Sequence, residues 1–223
     1  MRESYTFVLF DLDGTISDPR LGIVHSVQYA AKMMGLRDVQ AAEVEAHIGP
    51  PLQETFAEVF GLDEEETRKM IGYYRDYFKE TGMFENVLYT GIQQLLETLK
   101  STKRLVVATS KPTEFAEKIL SYFQIDHYFE LVVGSNLDGT RTTKGEIIRF
   151  ILEQYGEYQP DDFIMIGDRK QDCHGAGQNG IDSIGVTYGF GSPAELKGEN
   201  PSHIVDTVSE LGTLFLPKKR SLS

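Results

Sequence analysis

Two aspartates follow a short apolar run near the start of the chain. Asp11 and Asp13 come directly after residues 7–10, in the sequence Asp-Leu-Asp-Gly. Side chains alternate along a strand, so the two carboxylates meet in one place only if the chain bends there. Gly14 supplies the freedom to bend. An Asp-Gly pair is also a common hairpin signal, so an ordinary turn is the open alternative.

Two further aspartates follow another apolar run. Residues 163–166 precede Gly167 and Asp168, and Asp172 comes four residues later. Carboxylates gathered at one place repel by about 4 kcal/mol per pair at ~4 Å and an effective dielectric of ~20. A divalent cation removes that repulsion, and hard oxygen ligands favour Mg²⁺. The pattern predicts a magnesium site, with a helix-start role as the alternative for Asp172.

Two other positions have residues that suit an anion. Thr109 ends an apolar run over 105–108, and Lys144 lies in the first turn of a helix that a Thr143-x-x-Glu146 capping box predicts. The positive end of a helix dipole disfavours a cation. Lys144 is explained if it and the free helix amides face an anion such as phosphate. A solvated surface lysine is the alternative.

The elements that must position these residues alternate between strand and helix from position 89 onwards. This alternation predicts a Rossmann-like α/β fold, a parallel sheet covered by helices on both faces. Apolar residues at helical spacing predict four helices and no strand over residues 18–83. We therefore expect a core domain of residues 1–17 and 84–223, with residues 18–83 inserted as a four-helix cap domain on two short linkers.

The amino-acid composition limits the classes of function and the partners that this chain can have. The 223 residues have a net charge of −12, which gives no electrostatic footprint for a nucleic acid polymer. The cluster of basic residues at 218–220 is interpreted as a solvated tail. A single cysteine, no apolar run of membrane-spanning length and no signal peptide predict a cytoplasmic protein without a membrane partner. We expect a monomer or a weak homodimer.

Taken in order, these motifs resemble those of a known superfamily. Asp11-Leu-Asp13-Gly-Thr15, then Thr109, Lys144 and Gly167-Asp168-x-x-x-Asp172 are similar to the four motifs of the haloacid dehalogenase-like hydrolases. The helical insert resembles the α-helical cap of the phosphoglycolate phosphatase and β-phosphoglucomutase branch. The resemblance covers essentially the whole chain.

The resemblance implies a role for each matching residue. Asp11 is expected to be the nucleophile that becomes an aspartyl-phosphate, and Asp13 the acid and base. Thr109 and Lys144 would hold the phosphoryl oxygens, and Lys144 would also offset the charge of Asp11. Ser110, which stands where many relatives have asparagine, would contact the phosphate as well.

The resemblance also assigns the metal ligands. Mg²⁺ would bind Asp11, the backbone carbonyl of Asp13 and Asp168, with Asp172 as a weaker or indirect ligand. The second aspartate, Asp13, favours phosphoryl transfer over dehalogenation.

The substrate is expected to be a small phosphorylated metabolite. Phosphoglycolate and a nucleoside 5′-monophosphate both stay open, and Gly49, Pro51 and Gln53 of the insert are expected to contact the substrate. A phosphosugar mutase is the first alternative, although Ile23 occupies the place where β-phosphoglucomutases have a cap histidine. A non-catalytic regulatory protein on the same scaffold is the second.

Overall fold

A parallel sheet forms the centre of the molecule. The computed structural model describes residues 5–216, so the basic cluster at 218–220 lies outside the described residues. Six parallel strands stand in the order β5-β4-β1-β6-β7-β8. Their bounds are β1 Phe7–Phe10, β4 Arg104–Pro112, β5 Leu131–Ser135, β6 Phe163–Gly167, β7 Asp182–Val186 and β8 His203–Val205. This confirms the predicted Rossmann-like α/β fold.

The helices that follow these strands cover both faces of the sheet. They are α5 Ile92–Lys100, α6 Thr113–Tyr122, α7 Lys144–Gln154, α8 Lys170–Gln178, α9 Pro193–Gly198 and α10 Val208–Leu214. Strand alternation divides the side chains of β1 between two hydrophobic clusters. Val8 and Phe10 belong to one cluster, and Phe7 and Leu9 belong to the other. All four side chains are fully buried, which is why the run has no polar position.

The insert after β1 consists of helices α1 Arg20–Met34, α2 Ala41–Glu45, α3 Leu52–Phe60 and α4 Glu64–Glu80. Its helix ends follow the sequence closely. Gly35 and Gly61 end α1 and α3 in the left-handed conformation, with φ values of 69° each. Asp63 caps α4 and forms a capping box with Glu66. The division into a core and a cap domain stays a prediction.

The two short linkers of the insert pair with each other as strands, and the first of these strands includes residue 18, where no strand was predicted. Strand β2, Ser17–Asp18, pairs antiparallel with strand β3, Val87–Leu88. The backbone amide of Tyr89 also donates to the carbonyl of Ile16 at 3.2 Å. The chain therefore enters and leaves the insert at one place. Two-residue strands carry too little pattern to be recognised in a sequence.

A bulge interrupts the pairing of β4 with β5. Ala108 pairs with Val133 and Pro112 with Ser135, so β4 has two more residues than β5 in this interval. The close approach depends on Gly134, because a Cβ there would lie 2.1 Å from the carbonyl oxygen of Lys111. Bulges re-aim side chains at functional sites. This one directs residues 109–111 towards the carboxyl end of the sheet.

We expect Gly134→Ala to destabilise the protein by about 1–3 kcal/mol, the usual cost of forcing an extra carbon into a packed site. The matched control is Gly72→Ala, because Gly72 is exposed in the middle of α4 and a Cβ there would meet nothing within 4 Å. That control should stabilise by about 0.5–1 kcal/mol. Urea unfolding of both variants measures the difference. A neutral Gly134→Ala would show that the bulge can relax.

Candidate active site

A tight turn brings Asp13 back towards Asp11 at the end of β1. The amide of Asp11 still donates to the carbonyl of Ile166 at 2.9 Å, as part of the sheet. Beyond it, the amides of Gly14 and Ile16 bond to Ser17 and Leu12, and Gly14 has a φ of 87°. The hairpin alternative is wrong, because β1 pairs in parallel with β4 and β6 on its two sides.

Three carboxylates converge beside this turn. Asp11, Asp168 and Asp172 are buried, and each offers an oxygen within 4.8 Å of the others. Burial raises the pKa of Asp168 well above its usual range, and the charges of Asp172 and Asp11 raise it further. One oxygen of Asp168 accepts a hydrogen bond from the amide of Phe190 at 2.7 Å. The other oxygen is buried and has no partner among the described residues.

A divalent cation fits this group of carboxylates. Their oxygens are hard ligands, their mutual repulsion is uncompensated at Asp168, and one buried oxygen lacks a partner. The side chain of Asp13 is outside the group, because its carboxylate turns to Lys111 instead. The resemblance assigns the backbone carbonyl of Asp13 to the metal, and that ligand stays a prediction.

The loop after β7 lies against Asp168 and the turn after β1, which the sequence analysis missed. A Cβ on Gly189 would lie 2.3 Å from the carbonyl oxygen of Gly14 and 2.5 Å from Asp168 Oδ2. The loop therefore lies directly against the turn after β1, and the amide of Phe190 can reach Asp168. Two glycines flanking Phe190 were the available signal.

Lys144 lies in the centre of the site. The predicted capping box of Thr143 and Glu146 starts α7, and the buried Lys144 side chain extends from the first turn to the carboxylates. Its Nζ lies 2.8 Å from Asp11 Oδ1, 2.7 Å from Asp172 Oδ1 and 2.8 Å from the carbonyl oxygen of Ala108. The solvated-surface alternative is therefore wrong.

The ionised form of Lys144 is strongly favoured. Burial alone would lower the pKa of Lys144, but the charges of Asp11 and Asp172 outweigh it and the pKa is raised. Asp172 also accepts a hydrogen bond from the amide of Arg169 at 3.0 Å, at the start of α8. Asp172 therefore has the predicted helix-start role and also belongs to the acidic group, and its part as a metal ligand stays a prediction.

Residues 109–111, which form the bulge of β4, line a cavity together with Asp11 and Asp13. Thr109 is buried and Ser110 is half-buried, and both line the cavity, so their contact with phosphate stays a prediction. Lys111 lies with its Nζ 2.9 Å from Asp13 Oδ2. Burial raises the pKa of Asp13, and Lys111 opposes that shift. Lys111 is two positions after Thr109 in the sequence, which did not indicate this pairing.

A cavity of about 110 Å³ separates these residues from the helical insert. Gly49 and Pro51 line it, as expected. Gln53 does not, because α3 turns Leu52, Thr55 and Phe56 inward at helical spacing and leaves Gln53 exposed. Other cavity-lining residues of the insert, which sequence reasoning missed, are Ile23, Val27, Val44, His47, Ile48, Tyr74, Arg75 and Phe78.

One side chain of the core connects to the insert beside this cavity. Arg169 follows Asp168, and its guanidinium donates to Glu195 at 2.9 Å and to the backbone carbonyl of Ile48. The Cβ position of Gly49 lies 3.0 Å from the Arg169 side chain. The loop before α3 is thus held against the core next to the acidic group of Asp11, Asp168 and Asp172. Within residues 5–216, no helix has the length and apolar character that crossing a membrane requires.

Known proteins with similar sequences include phosphatases and a protein named as a kinase. A 5′-nucleotidase from Pseudomonas aeruginosa is 46% identical over 89% of this chain and 90% of its own length. The tyrosine-protein kinase PtkA of Mycobacterium tuberculosis is 38% identical over 85% of this chain, but only 64% of its own length is covered. A phosphoglycolate phosphatase from Vibrio parahaemolyticus is 25% identical over 94% of this chain and 96% of its own length.

The structure and the family comparison agree with these sequences. The crystal structure of a predicted phosphatase from Clostridium acetobutylicum is 47% identical, with a TM-score of 0.91 over 95% of this chain and 98% of that one. The model of the family described as haloacid dehalogenase-like hydrolase matches residues 8–186. Together with the acidic site at the strand ends, this shows that the chain belongs to the haloacid dehalogenase-like hydrolases, as a hydrolase acting on phosphomonoester bonds.

Proposed function

We propose that the protein is a Mg²⁺-dependent phosphatase that hydrolyses a small phosphomonoester through an aspartyl-phosphate on Asp11. The observation that carries this proposal is the position of Asp11. Its carboxylate is shared between the buried acidic group and Lys144 at 2.8 Å, and it lines the cavity together with Asp13 and Thr109. The proposed nucleophile Asp11, the proposed acid Asp13 and the proposed phosphate contact Thr109 therefore lie around the same cavity.

In the first step, an Asp11 oxygen attacks phosphorus and the bond from phosphorus to the ester oxygen breaks. This is an encounter between two anions, so the charge of Lys144 is needed before attack. Thr109 and Ser110 hold the non-bridging oxygens from the bulge. The leaving alkoxide takes a proton from Asp13, whose raised pKa suits a proton donor.

In the second step, water attacks phosphorus and Asp13 accepts its proton. The bond between Asp11 and phosphorus breaks, and inorganic phosphate leaves. Asp11, Asp168 and the Asp13 carbonyl would hold Mg²⁺, with Asp172 beside them. When bound, the metal supplies charge stabilisation for the phosphoryl oxygens. Alternation of Asp13 between acid and base returns the enzyme to its starting state.

We propose a nucleoside 5′-monophosphate as the first substrate class and phosphoglycolate as the second. The 46% identity to a 5′-nucleotidase over nearly the whole chain supports the first, and the 25% identity to a phosphoglycolate phosphatase supports the second. The insert also lines the cavity with apolar and aromatic side chains, among them Ile23, Tyr74 and Phe78, which suit a nucleoside better than a two-carbon acid. The kinase name of PtkA is not carried over, because this chain covers too little of that protein.

The mutase and regulatory alternatives have less support. Ile23 lines the cavity, and its hydrocarbon side chain cannot carry a proton. The intact set of Asp11, Asp13, Lys144 and Asp168 is unexpected in a scaffold without activity. A screen of phosphorylated metabolites, read as kcat/KM, would rank the substrate classes. Isomerised sugar phosphate without phosphate release would instead indicate a mutase.

Asp11→Asn is expected to abolish turnover, because an amide is a poor nucleophile for phosphorus. Phosphate release from the best ester of the screen should fall to background. The fold should persist, so circular dichroism and thermal unfolding serve as controls. Substantial activity, with mass spectrometry excluding deamidation back to aspartate, would disprove the nucleophile assignment.

Chelation is expected to remove the activity, and Mg²⁺ is expected to restore it. Ca²⁺ should inhibit, because it accepts more ligands at longer distances and disturbs the in-line geometry. Calorimetric titration of Mg²⁺ into the wild type and Asp168→Asn tests the site without turnover, and the variant should bind far more weakly. Full activity after exhaustive dialysis against chelator would contradict the proposal.

The residues of the insert that line the cavity are expected to select the substrate. Arg75 lies there with one hydrogen bond in the described structure, 3.5 Å to the carbonyl of Leu137, and so can turn to a ligand. Arg75→Met and Pro51→Ala should change the preference among natural phosphomonoesters and barely affect p-nitrophenyl phosphate. Gln53→Ala, which alters an exposed residue of the same segment, is the control. Equal losses on every substrate would indicate damage to the fold.

A further inference from the structure

The side chain of Lys111 is unusual for a lysine. It is 6% exposed, and it emerges from the bulge of β4 that Gly134 makes possible. A lysine ammonium is strongly hydrated in water, so burial is costly unless every contact compensates. Two contacts are present. The Nζ lies 2.9 Å from Asp13 Oδ2 and 4.3 Å from the ring centroid of Phe78.

The second of these contacts comes from the helical insert. Phe78 lies in α4 and is 1% exposed, stacked on Tyr74 with ring centroids 5.5 Å apart and edge-on to Phe115 at 5.5 Å. A cation over an aromatic face gains about 0.5–2 kcal/mol, most where water is excluded. Lys111 is therefore held from the core side by Asp13 and from the insert side by Phe78.

The ion pair has a consequence for Asp13 itself. Its Oδ2 is held by Lys111, whereas its Oδ1 is buried and has no hydrogen-bond partner among the described residues. An aspartate in a polar turn can rotate its carboxylate, and a misaimed oxygen transfers protons poorly. Fixing one oxygen leaves the other in a defined place beside the cavity that Asp13 lines.

We propose that Lys111 is a positioning residue for Asp13, and that Phe78 holds Lys111 in that role while the insert covers the core. Proton transfer to the leaving group would then depend on the insert being in place. This inference rests on the proposed function, in which Asp13 is the acid. It assigns to Lys111 a role apart from the phosphate contacts of Thr109 and Ser110.

The test compares esters whose leaving groups differ in their need for a proton. An alkyl phosphate such as glycerol phosphate leaves as a basic alkoxide, whereas p-nitrophenyl phosphate leaves as a stable phenolate. The constant to compare is kcat/KM, because it covers the steps up to alcohol release and excludes the later attack of water. The variants are Lys111→Met, Lys111→Arg and, as an exposed control on α6, Lys118→Met.

Lys111→Met should lose about 10- to 100-fold on alkyl phosphates and less than about 3-fold on p-nitrophenyl phosphate, because only the former needs the acid. Lys111→Arg should recover part of the loss, since it keeps the charge. Lys118→Met should match the wild type on both. An equal loss on both esters, carried mainly by KM, would overturn the inference and make Lys111 a phosphate contact.

Phe78→Leu tests the contribution of the insert. Like Lys111→Met, it should lower kcat/KM more on alkyl phosphates than on p-nitrophenyl phosphate, but by a smaller factor. Phe56→Leu is the control, because Phe56 is fully buried in the same insert and its recorded ring contacts are with Phe60 and Tyr74. Thermal unfolding should show a similar decrease in Tm for Phe78→Leu and Phe56→Leu. The same kinetic pattern in both variants, or none in Phe78→Leu, would refute the link to the insert.

Asp13→Asn on the same esters separates this inference from the proposed function. Its kcat/KM should fall steeply on alkyl phosphates and little on p-nitrophenyl phosphate. If Asp13→Asn shows no such contrast, the acid role of Asp13 fails and the proposed function needs revision. If Asp13→Asn shows the contrast and Lys111→Met does not, only the role of Lys111 fails.

Discussion

Repulsion among buried carboxylates is the constraint on which the rest of this structure depends. Asp11, Asp168 and Asp172 place oxygens within 4.8 Å of one another, where each pair of charges costs about 3.5 kcal/mol at an effective dielectric of ~20. Lys144 compensates Asp11 and Asp172 directly. Asp168 accepts a hydrogen bond from the backbone amide of Phe190. The site is therefore electrostatically incomplete in the protein alone, which is what a cation-binding centre requires.

The fold provides the geometry that keeps these charges together. Asp11 and Asp168 follow adjacent strands, β1 and β6, so the sheet fixes their separation. The Gly189 loop and the turn after β1 pack too closely for any side chain to intervene. The bulge in β4 adds Thr109, Ser110 and Lys111 on the other side. Stability and catalysis compete here, because each buried charge that serves the chemistry weakens the folded state.

Much of this arrangement could be predicted from the sequence, because it depends on patterns that lie close together in the chain. The apolar runs before Asp11, Thr109 and Asp168 identify buried parallel strands. The polar residues that follow these runs, taken in chain order, identify the site. The capping box before Lys144 correctly located the start of α7. Such signals are local in the sequence. The parallel sheet then brings the residues together, because its strands end at the same edge.

The features that sequence reasoning missed depend on contacts between distant segments. The pairing of Lys111 with Asp13 and the approach of Arg169 to the loop at Ile48 join residues about 100 positions or more apart. The inward turn of α3, which left Gln53 in solvent, depends on how that helix packs on its neighbours. No spacing rule encodes these contacts, because they follow from where whole elements lie.

The short ribbon of β2 and β3 gives the insert an unusual topological independence. Asp18 and Val87, which flank the segment 19–86, are paired in this ribbon, so the segment leaves and rejoins the rest of the chain at a closed pair of strands. Lengthening, shortening or exchanging that segment leaves the strand order and the register of β1 untouched. Changes of length in this segment are therefore compatible with the strands that carry Asp11 and Asp168, whereas the contact of Phe78 with Lys111 restricts what can replace Phe78.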